Sequence, residues 1–201
     1  MLCVSCKIKA GNTDHFATKD NELILRLGGR MQIQHGAALF NFIKDGVAQK
    51  AIHQLKYGGR SDVAKVFGRQ FGRKLLSSKH FEKTDFILPI PVHYKRRAKR
   101  GFNQSEVFGG AIASTINAPM ITDMLVKRRT MKSLTSKNRV ERFHEVLNSF
   151  EIRGGIRALN KTVLIVDDVL TTGATIEATY QLLSEIPDIK IQIAIIGLAN
   201  D

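Results

Sequence analysis

The chain has 201 residues, 43% of them hydrophobic and 24% charged, an ordinary balance for one globular α/β domain with a small appendage. Its formal net charge of +13 points to anionic ligands or partners: phosphates, nucleic acid or an anionic membrane surface. No apolar run approaches the roughly 20 residues of a membrane span, and the first residues lack the order of a signal peptide, so a cytoplasmic protein is expected.

Residues 1 to about 30 show weak periodicity. Cys3 and Cys6 stand at C-x-x-C spacing, which suggests metal or redox chemistry more than a structural disulfide. They are candidate zinc ligands, but a structural zinc site needs four. His15 and His35 can complete a set in principle, although their spacing singles out nothing, and an incomplete set rarely holds the metal. Ala37 to Ile43 reads as a strand, followed by a turn at Lys44-Asp45-Gly46. Val47 to Tyr57 has helical spacing and ends at Gly58-Gly59. Ser61 is a candidate cap for the next helix, on which Val63, Val66, Phe67, Phe71, Leu75 and Leu76 are expected to share a face. His53 lies on the first of these helices and suits packing as well as function. Lys56 lies in its last turn, where a cation is stabilising in any case.

Phe86 to Val92 reads as a buried strand closed by prolines. A basic loop is expected after it, with Lys95, Arg96, Arg97, Lys99 and Arg100 crowded into six positions, then Gly101, Phe102, Asn103 and Gln104. Such runs are usually solvated. Lying between a strand's carboxyl end and a helix start, this one also suits a pyrophosphate, with Lys95 and Arg100 as charges, Asn103 and Gln104 as amide donors and Gly101 permitting close approach. Ser105 to Ile116 is the following helix, and residues 117–161 are polar and less regular apart from Met124 to Val126.

Val163 to Val166 is an apolar, β-branched run, as expected for a strand buried on both faces. Asp167 and Asp168 follow at its carboxyl end, where ligands bind in open α/β sheets. Thr171, Thr172, Gly173, Ala174 and Thr175 then open a helix running to about Glu185, and such a loop can wrap a phosphate. Acids suited to hydroxyl groups beside a phosphate cradle describe a site for a phosphorylated sugar. Ile189 to Leu198 is the last strand, and the alternation of strands with helices implies a parallel sheet.

The run Val163 to Thr175 resembles the thirteen-residue motif of the type I phosphoribosyltransferases, which bind phosphoribosyl pyrophosphate (PRPP). The resemblance implies that Asp167 and Asp168 bond the ribose hydroxyls and that Thr171 through Thr175 hold the 5′-phosphate. Pro89-x-Pro91-x-His93 with the basic run and Arg100-Gly101-Phe102-Asn103-Gln104 is similar to the signature of the ComF family, which includes GntX-like proteins. His53-Gln54-Leu55-Lys56-Tyr57, Arg139-x-x-Arg142 and Asn148-x-Phe150 match the family too. The resemblance implies a central parallel sheet flanked by helices, with residues 129–150 as a small mobile hood. It divides the chain at 33/34, into a remnant of a zinc-ribbon-like segment (1–33) and a phosphoribosyltransferase-like domain (34–201). Relatives often carry two Cys pairs where this chain has one, so either the chain starts within the ribbon or the ribbon has decayed.

The activity implied is Mg2+-assisted displacement of pyrophosphate from ribose C1 by a nitrogen nucleophile. Asp167 and Asp168 would act as catalytic residues and hold the ion directly or through water; Lys95, Arg100, Gly101, Asn103, Gln104 and Lys56 would face the pyrophosphate. The alternative is a non-catalytic single-stranded DNA-binding adaptor in natural competence, with Tyr94 and Phe102 as stacking platforms. An oligomer is compatible with either reading.

Overall fold

Four parallel strands form the centre of the molecule: β1 (His35–Asn41), β2 (Phe86–Pro89), β5 (Thr162–Leu170) and β6 (Lys190–Leu198), in the order β1-β6-β5-β2. The computed structural model describes residues 11–43, 46–128 and 145–199. Cys3, Cys6, Lys44, Asp45 and most of the expected hood, residues 129–144, lie outside the described residues.

Alternation along β5 explains why Val163 to Val166 is apolar without a break. Val163 and Ile165 enter one core, and Leu164 and Val166 enter the other. The first core is closed by α1 (Glu22–Gly28) and α6 (Ala174–Ser184), together with an antiparallel pair, β3 (Leu125–Lys127) and β4 (Phe150–Ile152). The second is closed by α2 (Val47–Tyr57), α3 (Ser61–Ser77) and α5 (Gln104–Ile116). A strand covered on both faces has no polar side to display, as parallel sheets require. Part of the segment 1–33 belongs to the first core: Leu23, Leu27 and Met31 are buried there, and Asn12 bridges to Phe40 of β1.

Three local expectations are corrected. Ser61 is the first residue of α3 and not its cap; that position is Arg60, which makes a two-pronged contact with Asp62 at 2.9 and 2.7 Å. Val66 and Leu76 do not share the buried face, being 51% and 62% exposed, because the stripe runs at four-residue steps through Val63, Phe67, Phe71 and Leu75. The basic run is helical: α4 (Tyr94–Arg100) has no buried residue, so it carries none of the apolar periodicity that marks a helix in sequence. His15 and His35 are buried and engaged with the backbone, the His15 Nδ1 accepting from the Ala38 amide at 3.1 Å and the His35 Nε2 lying 3.1 Å from the His15 carbonyl.

No helix among the described residues is long and apolar enough to cross a membrane.

Candidate active site

Sheet register assembles the site. Pro89 of β2 pairs with Val166 of β5, and the Ile90 amide donates to the Val166 carbonyl at 2.9 Å. The segment leaving β2 therefore starts level with Asp167, the next residue of β5. Ser105, in the first turn of α5, donates its hydroxyl to Asp167 Oδ1 at 3.0 Å, and the Asp168 amide donates to the same oxygen at 2.8 Å. Burial pushes the Asp167 carboxyl up to about 7, and the neighbouring Asp168 carboxylate adds to the rise; the two hydrogen bonds and Lys56 oppose it. Lys56, from the last turn of α2, pairs with Asp168 at 3.2 Å.

β5 continues through both acids to Leu170. The Thr/Gly loop follows and opens α6 with Gly173 as its N-cap residue at φ +79°, a conformation that suits glycine. No side chain caps this helix; within the loop, the Ala174 amide makes a long 3.5 Å contact to Thr172 Oγ1. Asp167, Leu170 and residues 171–176 line about 40 Å³ of open space at this helix start. First-turn amides and the helix dipole make such a place favourable to an anion.

The basic side is less fixed. Lys95 lies on the exposed surface of α4. Arg97 pairs with Glu106 at 3.0 Å. Arg100 donates to Gln104 Oε1 at 3.1 Å and lies 5.7 Å from the centre of the Tyr57 ring. Gly101 ends α4 in the left-handed region, φ +81°, with open space where a Cβ would stand. The Asn103 amide donates to the Ile90 carbonyl at 3.0 Å and its oxygen caps α5 through the Ser105 amide at 3.1 Å, so both ends of the side chain bind backbone. Gln104 is fully buried, and its Nε2 has no hydrogen-bond partner among the described residues. A donor left in this state costs about 1–3 kcal/mol unless a ligand or water meets it.

Sequence reasoning passes over Ser105 and Lys127. Lys127 sits on β3, 4.6 Å from the centre of the Phe150 ring. Burial holds its ammonium below the ordinary lysine value, the Arg96 charge adds to the lowering, and Asp167 opposes it. It therefore feels both the basic helix and the acid pair. The short apolar piece before it, Met124 to Val126, gives no sign of a site; only the pairing of β3 with β4 and their packing on the sheet bring it near. Among the described residues no cluster of three His, Cys, Asp or Glu side chains is suited to a metal ion.

The model of the phosphoribosyl transferase domain matches residues 103–196, from the cap of α5 into β6, and so includes Ser105, both acids and the Thr/Gly loop. Competence protein ComFC of Streptococcus pneumoniae is 36% identical over 130 residues, 65% of this chain and 54% of that protein. These matches support a ComF-like family of the phosphoribosyltransferase type. The DNA utilization protein YhgH of Salmonella typhimurium, 27% identical over 135 residues, is a further relative, with 66% of this chain and 59% of that protein aligned. The chain thus spans little more than half the length of these ComF-like relatives. A solved adenine phosphoribosyltransferase from Leishmania tarentolae superposes over 92% of this chain and 90% of its own, with a TM-score of 0.46 and 14% identity. The domain match and the helix-flanked parallel sheet together define a type I phosphoribosyltransferase fold.

Proposed function

We propose that this ComF-like chain binds PRPP and transfers its phosphoribosyl group to a nitrogen nucleophile. The observation that carries the reading is the placement of Asp167, held by Ser105 in the carboxyl-terminal half of β5, beside the start of α6. In this reading the first-turn amides and hydroxyls of residues 171–175 receive the 5′-phosphate, and Asp167 and Asp168 orient the ribose hydroxyls. Arg100 faces the pyrophosphate, steadied by its bond to the buried Gln104. Lys56 restrains Asp168 and turns to the leaving group when the ribose replaces it. In the reaction the C1–O bond to pyrophosphate breaks with its electron pair, a C1–N bond forms, and the nucleophile gives up a proton. The protein contributes orientation and charge stabilisation.

The donor set suits magnesium: two adjacent carboxylate groups supply hard oxygen ligands, and the buried one is raised to about 7 although Lys56 opposes the rise. Asp167 and Asp168 would hold the ion directly or through water, with PRPP oxygens completing its shell; when bound, it would neutralise charge on the departing pyrophosphate. We extend the proposal to a cytoplasmic setting. Titration calorimetry of PRPP with Mg2+ tests it: micromolar binding abolished in Asp167→Asn/Asp168→Asn is expected, and absence of binding by the wild type overturns it.

A second reading, single-stranded DNA binding in competence, is favoured by one surface. Tyr57 and Tyr94 are 64% and 48% exposed, their rings next to those of His53 and His93, and the exposed Lys95, Arg96 and Lys99 lie on α4. Rings and cations interleaved in this way suit stacked bases and phosphates. Phe102 is not part of it, because it packs against the second core. Anisotropy of a labelled oligonucleotide over a salt series, with PRPP as competitor, tests whether DNA binds and whether the two ligands share one cleft.

A further inference from the structure

Residues from the segment before β1 reach the start of α6. Arg30 pairs with Glu177 at 2.6 Å and directs both terminal nitrogens at the Thr172 carbonyl, each at 3.4 Å. Its guanidinium is steadied by the Arg26 carbonyl at 3.1 Å, and Arg26 in turn donates to the Ala199 carbonyl at 2.6 Å. Leu27 presses on the loop from the same side: a Cβ added to Gly173 would lie 2.9 Å from Leu27 Cδ2. The Tyr180 hydroxyl of α6 accepts from the Gln32 amide at 3.0 Å. Residues 26–32 therefore brace the Thr/Gly loop, although they lie far outside the matched domain, residues 103–196.

Glu177 gives this brace a chemical purpose. It stands in the first turn of α6, where a carboxylate suits the helix dipole but opposes any anion bound at the same amides. Arg30 offsets that charge, and its contact with Glu177 is only partly exposed, the two side chains being 34% and 16% accessible, so solvent screens it incompletely. The same guanidinium holds the Thr172 carbonyl to the outside of the loop.

We propose that Arg30 is a positioning residue for the phosphate loop: it neutralises Glu177 and fixes Thr172, so the segment before β1 sets the affinity for the phosphate end of the sugar. The inference rests on the assignment of residues 171–175 to that phosphate. It makes residues 26–32 a working part of the site, through which any change in the preceding segment is felt at the loop.

The test is calorimetry on the full chain with two probes, ribose 5-phosphate and Mg2+-pyrophosphate. Arg30→Ala is expected to weaken ribose 5-phosphate about tenfold, the size of one charge-assisted hydrogen bond, and to leave pyrophosphate unchanged. Adding Glu177→Gln to Arg30→Ala is expected to recover most of that loss, which a merely structural role for Arg30 does not predict. Arg30→Lys keeps the charge and should fall between wild type and Arg30→Ala. Unchanged ribose 5-phosphate affinity in Arg30→Ala, or equal weakening of both probes, overturns the proposal. No recovery in the double variant overturns the role of Glu177. Failure of the wild type to bind ribose 5-phosphate overturns the loop assignment itself, and is told apart because it needs no substitution.

Discussion

The acid and phosphate half of the site and its basic half are built in opposite ways. Asp167, Asp168 and the Thr/Gly loop hang from β5, a strand buried on both faces, and each receives a tether from another element: Ser105 from α5, Lys56 from α2, Arg30 from before β1. The basic half rests on α4, a seven-residue helix without one buried side chain. Geometry in the first half is fixed before a ligand arrives. In the second it depends on long side chains that give up rotamer entropy when they engage. The first is thus suited to orienting a sugar, and the second to gathering charge.

The largest effect expected from breaking this contrast is in the rigid half. Asp167→Asn/Asp168→Asn should lower PRPP affinity by about 100-fold or more, the scale of several charge-assisted hydrogen bonds, as read by calorimetry. Gly173→Ala comes next: the new Cβ would meet Leu27 at 2.9 Å and occupy a residue at φ +79°. A cost of about 1–2 kcal/mol in stability is expected, with loss of ribose 5-phosphate binding and a lower melting temperature. Arg100→Ala should weaken Mg2+-pyrophosphate by about tenfold without touching ribose 5-phosphate, which would show the halves to be separable. The smallest effect on PRPP, within about twofold, is expected from Lys95→Ala/Lys99→Ala, which should instead reduce the salt slope of oligonucleotide binding by about 1.4, at ~0.7 for each phosphate no longer neutralised.

Asp167 sharpens the contrast through pH. Its carboxyl moves from 3.8 in the unfolded chain to about 7 in the folded protein. Between those values the folded state holds more protons than the unfolded, so this group makes stability fall as pH rises through that window. Asp167→Asn should abolish the fall and raise the melting temperature most above pH 7. A cation-bearing ligand favours the ionised pair, so wild-type PRPP affinity with Mg2+ should climb from pH 6 to 8 and release protons, seen as buffer-dependent heats. The groups facing Asp167 are Asp168, Lys56, Ser105 and, from β3, Lys127.

Legibility in the sequence follows the same division. β5, the acids, the loop and α6 can be read directly, because a strand covered on both faces leaves a continuous apolar run and a helix start leaves its Thr and Gly residues. The ion pair of Lys56 with Asp168 is half visible: the lysine stands out as a candidate, but its partner does not, since 112 positions separate them. α4 reads as a loop because a helix with no buried face has no period. Asn103 reads as a ligand donor because an N-cap and a ligand contact require the same side chain. Ser105, Lys127 and Arg30 have ordinary local surroundings, and only strand order and register give them their neighbours.

The position of β5 has a further consequence for how the molecule comes apart. Flanked by β6 and β2, with α6 on one face and α5 on the other, its amides belong to the most cooperative part of the structure, whereas α4 can fray without disturbing either core. On warming, the basic helix should exchange its amide hydrogens first and β5 last. If residues 171–175 hold the sugar phosphate as proposed, a molecule that has shed α4 would still grip it, and would have given up only its hold on the pyrophosphate.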